Sequence, residues 1–170
     1  MIALPPGNDD FFIASYDAAP TGGSFTGAKL LGVDTVTQTI GLDVANTLNI
    51  FVSGVIRSLN SAQSYASLPA DGATHNFAFV LQPQDFDNNP ITAGTNDPYA
   101  NPITATLVET GGSGHATLVL NGAPVGATAV IAHSTDTLAL RYDGLGAAGY
   151  TTNTTLSTPG NPLVARFRSP

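Results

Sequence analysis

Residues 77–91, Phe-Ala-Phe-Val-Leu-Gln-Pro-Gln-Asp-Phe-Asp-Asn-Asn-Pro-Ile, run from a strand straight into a turn. Phe77, Phe79 and Leu81 recur every second residue, so an extended backbone puts all three on one face. Asp85, Asp87, Asn88, Asn89 and Pro90 then supply turn chemistry. Asx side chains bond the local backbone and tolerate left-handed conformations, while proline presets φ. A period of two that ends in such a cluster leaves no room for a helix, and the same pattern recurs along the chain.

Before this stretch, residues 11–17 read as a strand and Lys29–Val33 as a short one. Val36, Ile40 and Leu42 alternate with Thr35, Thr37 and Thr39 in a half-buried strand. Residues 47–56 place Leu48, Ile50, Val52 and Ile56 on one face of another. After it, Ile103, Ala105 and Leu107 mark a strand that Gly111–Gly114 is expected to turn as a hairpin into Ala116, Leu118 and Leu120. Ala127–His133, Leu138–Tyr142 and Tyr150–Leu156 follow with the same period, and 162–168 is a last strand or a linker. About ten short strands at this spacing predict an all-β, antiparallel sandwich. The polar stretch 57–74, with an edge strand around Ala62–Ser67, divides a partial block at 1–57 from a complete sandwich at 75–170.

Composition supports this and removes several function classes. Glu109 is the only glutamate and Lys29 the only lysine, so helix formers that tolerate water are nearly absent. Net charge is −7 and the five basic residues are scattered, which argues against nucleic acid and against anionic membrane surfaces. No apolar run is long enough to cross a bilayer as a helix. Without cysteine there is no disulfide framework, thiol nucleophile or cysteine-held zinc. The start lacks the basic and apolar regions of a signal peptide, so the expectation is a fragment of a longer extracellular or cell-surface protein.

The strand at 77–82, the turn Asp85-Phe86-Asp87-Asn88-Asn89-Pro90-Ile91, and the segments Ile103–Val108 and His115–Leu120 together resemble the bacterial immunoglobulin-like domains of the intimin and invasin group. The resemblance covers residues 75–157. It implies an immunoglobulin-like sandwich serving as a structural or adhesive spacer in a large secreted or surface protein, with no catalytic residues to carry over. The long insertion Thr92–Pro102 departs from the pattern, and the first block lacks its early strands.

Candidate chemistry is sparse. Asp85, Asp87 and Asn89, with Asp97 nearby in sequence, could offer oxygen ligands to calcium, but no glutamate closes such a loop and turn-holding explains the same residues. Tyr99, in a loop of Asn, Asp and Pro, is the candidate for stacking on a sugar. His75, His115 and His133 have no spacing that gathers them into a site, and Asn153-Thr154-Thr155 fits a glycosylation sequon. No Gly-x-Ser-x-Gly elbow, phosphate loop or pair of cleft carboxylates can be nominated, so a hydrolase is the least supported class. The expected function is a non-catalytic module whose partners are neighbouring domains or subunits of the same protein, self-assembling into a filament through open strand edges. The alternative is a carbohydrate-binding module, calcium-dependent or not, that takes a cell-surface glycan.

Overall fold

A computed structural model describes residues 5–42, 44–63, 68–91, 98–159 and 166–168. Among them there is no helix, and twelve strands form three antiparallel sheets. The chain opens with β1 (Gly7–Tyr16), β2 (Leu30–Ile40) and the two-residue β3 (Ser53–Gly54), a three-stranded sheet in that order. Two further sheets make a sandwich. One has the order β4 (Ser58–Gln63), β5 (His75–Gln84), β10 (Leu138–Tyr142), β7 (Ala116–Leu120), β8 (Ala123–Gly126). The other has the order β12 (Arg166–Arg168), β11 (Thr151–Ser157), β6 (Ile103–Thr110), β9 (Thr128–Ile131).

Period-two patterning fills the space between these two sheets. Phe79, Leu118, Leu138 and Leu140 of the first sheet meet Ile103, Ala105, Leu107, Ala129, Ile131 and Leu156 of the second, all buried. Phe77 and Leu81 pack against that cluster beside Phe79, on the face the alternation assigned to them. Ile56 is fully buried in the same core, so the sandwich begins ahead of β4. The Asn101 side chain fastens this entry by accepting from the Ile56 amide at 2.7 Å and donating to its carbonyl at 2.9 Å. The 57–74 stretch does hold an edge strand, β4, but it pairs with β5 along Ser58–Gln63 and so begins four residues ahead of the expected Ala62; residues 64–67 lie outside the described residues.

Two expectations need correction. Residues 103–108 and 116–120 are not a hairpin: β6 pairs with β11 and β9, whereas β7 pairs with β10 and β8, so Gly111–Gly114 carries the chain from one sheet to the other. The hairpin is β7–β8, turned by Asn121-Gly122, where both residues have positive φ (51° and 82°). That is the geometry of a two-residue type I′ turn, whose twist matches the flanking strands. The chain switches sheets again at Gly126, the last residue of β8, whose φ of +83° allows the bend into β9.

The second correction concerns residues 47–56. Only Ser53 and Gly54 pair with β2, and Ile50, Phe51 and Val52 are exposed. Alternation alone does not make a strand; the backbone needs an edge to pair with. Here the Phe51 amide donates to the Asp34 carboxylate instead, at 2.9 Å.

The three-stranded sheet has almost no interior. Between residues 5 and 54, Gly32 is the one described residue that is buried, while Phe12, Phe25, Leu42, Val44, Ile50, Phe51 and Val52 are all exposed. The sheet is held to the sandwich by a small joint. Val55 donates its amide to Leu31, Ala100 donates to Gly54, and Lys29 reaches Asp87 in the turn after β5.

Candidate functional site

Three places gather polar or accessible groups: the turn after β5, the corner where β6 leaves its sheet, and the groove beside the three-stranded sheet. Each is built by a different part of the chain.

In the turn, Asp85 organises the backbone. Its Oδ1 accepts from the amides of Asp87 (2.8 Å) and Asn89 (2.9 Å), and its Oδ2 accepts from the Asn89 side chain at 3.3 Å. Asn88 takes the left-handed conformation, φ 63°, that this turn requires. Although desolvation pulls the Asp85 carboxyl up, the donors from Asn89 and Asp87 hold it below the usual carboxylate range. Asp87 is spent on Lys29 Nζ at 2.7 Å, and that pairing raises the lysine above its ordinary value. Among the described residues no three acidic or histidine side chains converge on one point; Asp97 lies outside the described residues. Calcium at millimolar concentration is therefore expected to leave the melting temperature unchanged, because a ligand bound only by the native state must raise it. A rise reversed by chelator would show that this turn takes a metal.

At the corner, the chain's sole glutamate does similar work at higher density. Glu109 near the end of β6 accepts amide hydrogens from Gly114 (2.9 Å), His115 (2.9 Å) and Ala116 (3.0 Å), and Tyr150 donates its hydroxyl at 2.5 Å. One carboxylate thus supplies partners for the backbone of the crossover between sheets. Burial pulls Glu109 up, but the Tyr150 hydroxyl and the three amides together hold it below the ordinary value. Burial and the same contact push the Tyr150 hydroxyl far up. The Tyr150 ring stacks on Tyr142 with centroids 5.5 Å apart and meets His115 edge-on.

His115 Nδ1 lies 3.0 Å from Asp143 beside a cavity of about 170 Å³ that Arg141, Thr74 and Thr117 help to line. The other histidines also sit by aspartates, His75 at the start of β5 2.9 Å from Asp71 and His133 past the end of β9 3.6 Å from Asp136, but at separate places. In each case the aspartate also accepts from backbone: Asp71 from Ala73, Asp143 from Leu145, Asp136 from Ala132 and His133. These pairs shape turns, and the three histidines are not brought together.

Tyr99 is a correction to the sugar-stacking idea. It is 5% exposed and part of the core cluster, with its amide bonded to Ala132 and its hydroxyl pushed up to about 12 by burial. A ring enclosed on both faces cannot stack on a sugar. The sequon likewise sits within β11 between β6 and β12, with Thr154 fully buried.

No protein-family model matches the chain, and no curated protein or solved structure matches it either. Its own geometry therefore carries the functional argument.

The third place is an apolar groove of about 560 Å³ between the three-stranded sheet and the sandwich, lined by Leu30, Val33, Val55, Phe86 and Ala100. The Arg57 guanidinium lies over the Phe86 ring at 5.2 Å. In the three-stranded sheet the outer edge of β1, on the side away from β2, has no described strand paired to it. Sequence reading missed Glu109, although its being the only glutamate, just ahead of a glycine-rich crossover, was the available signal.

Proposed function

We propose that the chain is a non-catalytic structural or adhesive module of a bacterial extracellular or cell-surface protein, associating with neighbouring domains or further copies through open strand edges. The observation that carries this reading is the three-stranded sheet: among the described residues nothing pairs with the outer edge of its ten-residue β1, Gly32 is its one buried residue, and phenylalanines are exposed. Such an edge is a template for another strand. The carboxylates of the turns and corner are engaged in holding backbone, which suits a scaffold. An immunoglobulin-like sandwich is part of the same proposal. The orders β4-β5-β10-β7 and β12-β11-β6 support it by matching the A-B-E-D and G-F-C arrangement of that fold, with β8 and β9 as additions. Absence of cysteine is compatible with a bacterial surface setting.

Sedimentation velocity over a concentration series tests the reading. Species heavier than the 17.3 kDa chain should appear and grow with concentration. A single 17.3 kDa species at every concentration would sink it.

A further inference from the structure

We propose that two copies pair through β1, edge to edge and antiparallel, in a two-fold dimer centred on Phe12; this rests on the assembly reading above and names its surface and partner.

Edge strands differ greatly in how well they are protected. β1 runs ten residues without proline, and its register with β2 is unbroken until the irregularity at Ser15/Tyr16. The other described edges are short: six residues in β4, four in β8 and β9, three in β12, two in β3. β8 also carries Pro124 and an irregular register. Short strands, prolines and bulges are how proteins blunt an edge, and β1 uses none of them along its main run. Its only deterrent is Asp9 and Asp10.

A two-fold axis at Phe12 removes that deterrent. It places Phe12 opposite Phe12 of the second copy, Asp10 opposite Ala14, and Asp9 opposite Ser15, so no carboxylate faces another. A parallel, in-register arrangement would stack Asp9 on Asp9 and Asp10 on Asp10, which is unfavourable. Phe12 is 71% exposed, the most exposed large apolar side chain among the described residues, and a cross-strand aromatic pair would cover it. Asp9 adds an independent sign: its Oδ2 is shielded from solvent and has no hydrogen-bond donor. The proposed register puts the Ser15 hydroxyl of the second copy opposite it. A self-complementary patch of this kind closes at two copies.

The chain has no cysteine among its 170 residues, so a single introduced thiol reports without background. Phe12→Cys should give a covalent dimer in high yield on oxidation or with a short bismaleimide, while Val108→Cys, on the exposed face of β6, should not. Phe12→Lys sets two like charges opposite each other. It should sediment as a monomer with an unchanged circular-dichroism spectrum. If the protein associates but Phe12→Lys associates equally and Phe12→Cys does not cross-link, β1 pairing is overturned while assembly through another edge stands. If the unmodified protein is monomeric throughout, both proposals fail.

Discussion

Replacing Glu109 with alanine is expected to lower folding stability by about 3 kcal/mol, read as a reduced urea midpoint with little change in slope. The carboxylate is the partner of three successive amides and of the Tyr150 hydroxyl, and alanine leaves all four donors without it. Hydrogen bonds to a charged acceptor contribute more than neutral ones, but partial exposure of the corner lets water replace some of them, which keeps the loss below the sum. Glu109→Gln keeps one acceptor oxygen and should lose about half as much.

The same contacts set a pH dependence. Glu109 titrates lower in the folded chain than in the unfolded one, so its stabilisation is present above the unfolded value, about 4.3, and disappears as pH falls through the folded value. Asp71, Asp85, Asp136 and Asp143 are lowered as well. Stability should therefore fall steeply below about pH 4, and Glu109→Ala should fall less steeply because one contributor is gone. Equal slopes for the two proteins would contradict the role assigned to Glu109.

Tyr142→Ala is expected to be the larger loss, about 4 kcal/mol by thermal or urea unfolding. The side chain is 1% exposed, stacks on Tyr150, and accepts the Gly146 amide at its hydroxyl at 2.8 Å. Truncation opens a cavity and leaves that buried amide unpaired. Tyr142→Phe separates the two effects: it keeps the packing and should cost only about 1 kcal/mol. Because Tyr150 touches both Tyr142 and Glu109, the double variant Glu109→Ala, Tyr142→Ala should depart from additivity. Strict additivity would mean that the stacked tyrosines and the carboxylate corner are independent.

Strands were legible where one face meets the core, as at Phe77–Leu81, Ile103–Leu107 and Leu138–Tyr142, because the period of two is imposed by burial on that face. Residues 47–56 carry a similar period and yet contribute only Ser53–Gly54 to a sheet. Of these only Ile56 enters the core; Ile50, Phe51 and Val52 stay exposed, so nothing outside the local sequence rewards extension there. The Asp85 turn was readable from Asx chemistry alone, since its bonds span four residues at most. The Asn121-Gly122 hairpin was equally local and is the stronger signal; Gly111–Gly114 looks alike in composition but joins strands of different sheets.

The sequence alone determined the class of the fold, the faces of the main strands and the turn after β5, because each depends on neighbours a few residues away. Tertiary structure alone decided which strands pair, that Ile56 and Tyr99 belong to the core, and that the single glutamate closes the corner between sheets. It also decided that the three-stranded sheet keeps its apolar residues outside. Those outcomes rest on contacts between segments far apart in the chain, such as Glu109 with Tyr150 and Ile56 with Asn101, for which local periodicity carries no signal.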